Sequence, residues 1–411
     1  MRFTNQNSEE QYASKFHYLE SDKPSENNKT VQTIANLIHA GHIVVIPDDT
    51  TYIIACTLFN PDSIRALYDI SNTSKEETLT MYVSSLEMIK IFSKVSNEEF
   101  STINKCKDSF WPGPLVIETE PSNNINKEIT GIRKKCRFTI SSNPIIKQLL
   151  ALTMCPLVSL PAYFNGVYPC TTAEHINSEF KYYGIDLLVN DTGCKYGILP
   201  TIISLENQTI HIKQLGPITE SQLVEKVPKY INYSLQDFYR YNKYDKPYTI
   251  DKKYLLLGEI DTDSVLGSME DNIVERFKTY IENSIIIDFG KRYQYLSTIA
   301  AGYVDLSENG DIAEAIFNIS NVLYQIRDID STIKVLIADR YSYKDGPYKS
   351  LYFWLNFLAD NKTIYVPKPV LDTFKQEFIE NESDYQLEEE YPVIQEDNQY
   401  FEDDIDNHSE V

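Results

Sequence analysis

The sequence has no close pair of cysteines, no long apolar run, and no lysine or arginine from Glu377 to its C-terminus. Each absence excludes something. Cys56, Cys106, Cys136, Cys155, Cys170 and Cys194 all fall in the first half without Cys-x-x-Cys spacing, and the six histidines are scattered. A zinc site is therefore not expected, and free, mostly buried thiols are. No stretch reaches the ~18 apolar residues of a membrane-spanning helix. The start "MRFTNQNSEEQ" lacks the basic and apolar segments of a signal peptide. The expectation is an intracellular, cytoplasmic protein without a membrane partner. The residues from Glu377 onward include 14 acidic ones, so of the net charge of −22 only −8 belongs to the rest. That balance opposes broad binding to nucleic-acid backbone, which needs cations on phosphates. It leaves room for a local basic patch.

What is present is a globular composition, 42% hydrophobic and 12% aromatic over 411 residues, enough for two or three domains. No internal repeat is visible. Residues 1–28 are polar and are expected to form a flexible arm. In "VQTIANLIHAG", Val31, Ile34, Leu37 and Ile38 share a helical face and Gly41 is placed to cap its end. The strand "HIVVIP" follows, and strands alternate with helices to about Ile218. The alternation predicts an α/β domain over 29–218 with a mixed twisted sheet. A tyrosine-rich linker with one short helix is expected over 219–250. A smaller, parallel, Rossmann-like α/β domain is expected over 251–369, from buried strands such as "IIIDFG" and "IKVLIAD". An acidic, disordered tail is expected over 370–411.

Several residue groups carry more than one reading. Asp48 and Asp49, at the end of the strand "IVVIP", resemble a hard-cation pair, but with no third ligand they read as a solvated turn. The run Arg133, Lys134, Lys135 and Arg137 reads as a solvated strand edge, with phosphate contact as its alternative. The aromatic stripe "YFWLNF" reads as core, with an interface to a protein partner as its alternative. The acidic tail reads as a solubilising segment, with docking to a protein partner as the alternative.

Five segments together resemble one family. "GHIVVIPDDTTYIIA" is similar to the opening motif of the YrdC family, a strand ending in Pro-Thr-Asp-Thr-Val-Tyr-Gly-Leu. "FWPGPLVIE", "TGIRKKCRF", "CPLVSLPAYFNGVYPCTTAE" and "GILPTIISLE" are similar to its later motifs, in the same order and spacing. "VDLSENGDIAEA" and "NVLYQIRDID" resemble the C-terminal domain of the long, two-domain threonylcarbamoyl-AMP synthases. The resemblance implies an enzyme joining L-threonine, bicarbonate and ATP, with Mg, into L-threonylcarbamoyladenylate for tRNA modification. It also implies a concave sheet face that has been linked to double-stranded RNA.

By the same resemblance, Thr50, Tyr52, Arg133 and Thr201 stand at retained substrate-binding positions, while Pro47, Trp111, Pro112, Gly113, Pro114 and Gly166 are retained for the fold. Others are replaced. Asp48 stands for a threonine and Ile53 for a glycine, and Ser71 and Thr73 stand where a lysine and an arginine hold phosphates. Pro161, Tyr163 and Asn165 replace Ser, Asn and Ser; Val116 replaces a threonine, Pro200 a serine and Gln214 an arginine. In the second domain Tyr352, Phe353 and Trp354 replace Asn-Asp-Arg. Losing two charge-assisted contacts of about 1.5–3 kcal/mol each costs roughly two to four decades in binding. Lys75 stands nearby as a flexible point charge. The expectation is a pseudoenzyme with no catalytic residues, acting as a binding or scaffold module. The alternatives are a diverged, active nucleotidyltransferase and an RNA or nucleotide binder.

Overall fold

The computed structural model describes residues 13–388 except 21, 72–76, 132–133, 165–167, 191, 207–208, 228–230, 233–253, 261–272, 331, 339–348, 350, 352–354, 357 and 360–361. Two units follow one another along the chain.

The first unit opens with strand β1 (Lys15–Leu19) and helix α1 (Pro24–His39). Pro24 sits in the first turn of α1, where a missing N–H costs nothing. Val31, Ile34, Ala35 and Ile38 form its buried stripe. The helix stops before Gly41, whose φ of +87° suits glycine and whose carbonyl accepts from the Ser63 hydroxyl. Then come β2 (Val44–Pro47), β3 (Tyr52–Thr57), α2 (Pro61–Ser71), β4 (Thr80–Tyr82), α3 (Leu86–Phe92), α4 (Asn97–Phe110), β5 (Leu115–Thr119), α5 (Lys127–Thr130), β6 (Cys136–Thr139), α6 (Pro144–Thr153) and β7 (Leu157–Pro161). The hairpin of β8 (Tyr163–Phe164) and β9 (Tyr168–Pro169) leads to α7 (Ala173–Phe180), β10 (Asp186–Asn190), β11 (Thr201–Glu206), β12 (Thr209–Gln214), α8 (Glu220–Lys226) and β13 (Ile231–Asn232).

Eleven of these strands form one mixed sheet in the order β1-β10-β2-β3-β7-β4-β6-β5-β11-β12-β13. Side chains alternate between its faces. One face carries Val45, Tyr52, Ile54, Met81, Phe138, Leu115, Ile117 and Val158 into the main core. On the other, Val44, Ile46, Ile53, Ala55, Tyr82 and Leu157 pack under α1 and α6 in a second core. Each fully buried isoleucine there contributes roughly 1.5–3 kcal/mol.

The second unit has β14 (Tyr254–Ile260), α9 (Ile273–Glu282), β15 (Ser284–Asp288), β16 (Gly302–Asp305), α10 (Ile312–Gln325), β17 (Lys334–Ala338), β18 (Thr363–Pro367) and α11 (Lys368–Glu388). Its five strands are all parallel, ordered β16-β15-β17-β14-β18. Asp311 caps α10 by accepting from the N–H groups of Ala313 and Glu314 at 2.7 and 3.0 Å. Ala315, Ile316, Ile319, Val322 and Leu323 of α10 belong to the same core cluster as Cys170, Ile176, Cys194 and Ile198 of the first unit. The two units share one continuous apolar core.

The two-unit α/β architecture is the expected one, but its margins differ. Within the expected arm, 1–28, β1 pairs in register with β10 and α1 begins at Pro24. Leu19 is buried, and His17 meets Asp186 at 2.8 Å; so short a strand, without alternating burial, is hard to see in the sequence. Helix α8 is the short helix expected in the linker 219–250, with the Thr219 hydroxyl and Gln222 side chain capping each other's backbone N–H groups. Helix α11 runs into the expected tail, because Val370, Leu371 and Phe374 pack into the second unit's core despite Asp372 between them and the acidic residues beyond. All six cysteines are free and buried. Among the described residues no helix is long and apolar enough to cross a membrane, and no three His, Cys, Asp or Glu side chains group as metal ligands.

Candidate active site

The chain turns tightly between β2 and β3, with Asp48 N–H donating to Thr51 O at 3.2 Å. The turn places Asp48 and Asp49 inside the protein, 6% and 7% exposed. This corrects the reading of the pair as a solvated turn. Oδ2 of Asp48 accepts from the Tyr82 hydroxyl at 2.6 Å, and Oδ1 from Ser141 at 2.5 Å. Oδ2 of Asp49 accepts from the backbone N–H and hydroxyl of Ser142 at 2.8 and 2.6 Å, and from Ser141 at 3.3 Å. Ser141 and Ser142 lie on the loop that enters α6, and Asn143 caps that helix. Burial, aided by the charge of Asp49, pushes the Asp48 carboxyl up from 3.8 to about 6 against the hydroxyls that favour its anion. Burial and the same two aspartates also push the Cys194 thiol well above its ordinary range, so it is no nucleophile.

Tyr82 connects this corner to the polar stretch of the same sheet face. By alternation Thr80, Arg137, Thr139 and Glu118 share that face with it. Arg137, 5% exposed, corrects the reading of its basic run as a solvated edge, because β6 lies between β4 and β5. Its guanidinium donates to Glu77 at 2.6 Å, to Thr78 O at 3.0 Å and to Glu118 at 3.3 Å. Of the same run, Lys135 meets Glu120 at 2.5 Å. Between β3 and β7, Ile53 stands opposite Pro161, and Ile53 is buried under α1 and α6.

Those positions singled out by sequence that lie among the described residues have the following surroundings. Thr50 is buried in the turn itself. The Tyr52 ring lies in the main core on the opposite face, its hydroxyl donating to Asn190 Oδ1 at 2.6 Å and accepting from Asn190 N–H at 3.1 Å. Thr201 accepts from Gly216 and Ile218 N–H at 2.9 and 3.1 Å and donates to Ile218 O at 2.8 Å. The side chain of Gln214 donates to Pro200 O at 2.7 Å, so Pro200, Thr201 and Gln214 brace one another. Ser71 ends α2 with its hydroxyl on Tyr68 O at 3.1 Å, and Tyr163 is half-buried in the hairpin. Thr73, Lys75, Arg133, Asn165, Gly166, Tyr352, Phe353 and Trp354 lie outside the described residues. Sequence reasoning missed Tyr82, Ser141, Ser142, Glu77 and Glu118. For Tyr82 the only signal was the alternation in "TLTMYV".

A nucleotide triphosphate needs cations and neutral donors. The described part of this face offers two buried carboxylates, hydroxyls already donating to them, and a guanidinium engaged by two glutamates. That donor set does not fit ATP-Mg.

Comparison with known proteins agrees with the fold. Residues 36–216 match the Sua5_yciO_yrdC family model, described as "Telomere recombination". Threonylcarbamoyl-AMP synthase of Pyrococcus abyssi is 23% identical over 175 residues, 43% of this chain and 50% of that protein. The synthase of Vibrio parahaemolyticus is 22% identical over 164 residues, 39% of this chain and 86% of that protein. The chain carries a Sua5/YrdC family domain. More particularly, both of its units follow the fold of Sua5. A P. abyssi Sua5 double variant superposes with a TM-score of 0.69 at 18% identity, covering 86% of this chain and 98% of that one. P. abyssi Sua5 complexed with L-threonine gives 0.67 at 17% identity, covering 85% and 99%.

Proposed function

We propose that this is a Sua5/YrdC-type protein with an impaired threonylcarbamoyl-AMP synthase site, kept as a binding or scaffold module. The observation that carries this reading is the saturated corner. Asp48 and Asp49 are buried side by side, and both engage the hydroxyls and backbone of Tyr82, Ser141 and Ser142. An anion entering there meets a carboxylate and must also break hydrogen bonds that a ligand would otherwise receive. A buried donor or acceptor left unpaired costs about 1–3 kcal/mol, and a like charge adds to that. The triad of Arg137, Glu77 and Glu118 supports the reading from the other side of the face, since its cation is already neutralised. Pyrophosphate release from ATP with threonine and bicarbonate tests it. Background rates are expected, and saturable turnover contradicts it.

A second reading is a diverged, active L-threonylcarbamoyladenylate synthase that feeds tRNA modification. The retained opening motif and the family domain over 36–216 favour it, as does the threonine complex of the P. abyssi relative. Under that reading, threonine binds here and the residues around Thr73 and Arg133 supply the missing cations.

A further inference from the structure

We propose that the second unit positions the Asp48–Asp49 corner, through a stripe of α10 that seats two separate links to it. Ile316, Ser320 and Tyr324 recur every fourth residue and so line one face of that helix.

The first link runs through Gly197. Its φ is +71°, which strains any other residue, and a Cβ built there would lie 3.1 Å from both Ile316 O and Phe317 Cα, tight against the helix backbone. The Ser320 hydroxyl donates to Gly197 O at 3.3 Å. The adjoining residue, Tyr196, donates its N–H to Asp49 O at 3.0 Å. One residue of backbone therefore separates the helix of the second unit from the main chain of Asp49.

The second link ends on the other side of the same turn. The Tyr324 ring packs on the His175 ring with centroids 4.4 Å apart. Nδ1 of His175 accepts from Thr171 N–H at 3.2 Å. The neighbouring Cys170 carbonyl accepts from Tyr52 N–H at 2.8 Å. Asp49 and Tyr52 are the two shoulders of the turn over Thr50 and Thr51, and each is held by a chain that ends on α10. Cys194 N–H donates to Thr171 O at 2.9 Å, where the two segments run side by side.

The fold of each unit explains its own core, but neither explains why two independent segments bring α10 to both shoulders of one turn. Positioning of the corner by the second unit does. It does not depend on whether the corner binds a ligand, and the test is made on ligand-free protein.

Hydrogen exchange is followed on the full chain and on Gly197→Ala, Ser320→Ala and Tyr324→Ala. Exchange at Tyr196 is expected to speed up about tenfold or more in Gly197→Ala and Ser320→Ala. Exchange at Tyr52 is expected to do so in Tyr324→Ala, with helix α1 unchanged in all three. Faster exchange confined to residues 312–325, or no change anywhere, overturns the proposal. If Gly197→Ala loosens the whole chain, α1 included, the two milder variants decide on the same two amides.

Discussion

Tyr82 donates its hydroxyl to Oδ2 of Asp48 at 2.6 Å, and both groups are buried. The tyrosine comes from the middle of the sheet and the aspartate from the turn between β2 and β3, so one hydrogen bond ties the turn to that sheet face. A carboxylate in that place has a thermodynamic signature.

The folded state holds the Asp48 proton more tightly than the unfolded chain, with a carboxyl near 6 against 3.8. Its contribution to stability is therefore greatest at low pH and is lost as pH rises from about 4 through about 6. About two units correspond to roughly 3 kcal/mol as an upper figure. Asp48→Asn removes this dependence, so relative to wild type it gains stability at pH 8 and not at pH 4. Urea unfolding at the two pH values checks it.

His175 works in the opposite sense. Burial, aided by the charge of Arg327, lowers its imidazole from 6.5 to about 4, so the fold prefers it neutral. Its contribution is full above about 6.5 and is lost as pH falls toward 4, up to about 3 kcal/mol. His175→Gln keeps an acceptor for Thr171 N–H and should flatten that acid limb, as seen in unfolding midpoints between pH 4 and 7. Because Asp48 and His175 oppose each other over overlapping ranges, only the single variants separate them.

The triad of Arg137, Glu77 and Glu118 should behave as a buried ion cluster. Arg137→Ala strands Glu77 and Glu118 and should cost about 3–5 kcal/mol. Replacing all three by Arg137→Met, Glu77→Gln and Glu118→Gln should recover most of that loss. Denaturant midpoints for both variants check it.

Ile53 stands where the resemblance expects glycine, and here it fills the space under α1 and α6. Ile53→Ala should cost about 2–5 kcal/mol in chemical unfolding. It should bring no gain in ATP affinity, since the neighbouring carboxylates remain. Calorimetry on the variant reads the second part.

The legible parts of this molecule were those with a period or a motif. The stripe Val31, Ile34, Ile38 declared α1, and the apolar runs "HIVVIP" and "IIIDFG" declared buried strands. Strand β1 was hidden because its five residues show no regular burial alternation and follow a polar stretch. Helix α11 was hidden because its charge outweighed the apolar stripe of Val370, Leu371 and Phe374. At the site, the departure of Asp48 from the family pattern was readable, but its environment was not. Asp48 meets Tyr82 and Ser141 from positions 34 and 93 residues away, and no local rule pairs residues at such distances. Arg137 looked like part of a basic run for the same reason: its partners Glu77 and Glu118 come from other strands and loops.

The central proposal, that the corner has closed against ATP-Mg and L-threonine, is tested most directly by calorimetric titration of the full chain with ATP-Mg, alone and then with L-threonine. The account predicts no saturable heat for either ligand, corresponding to dissociation constants weaker than about 1 mM. Saturable binding of ATP-Mg in the micromolar range, strengthened by threonine, would contradict it.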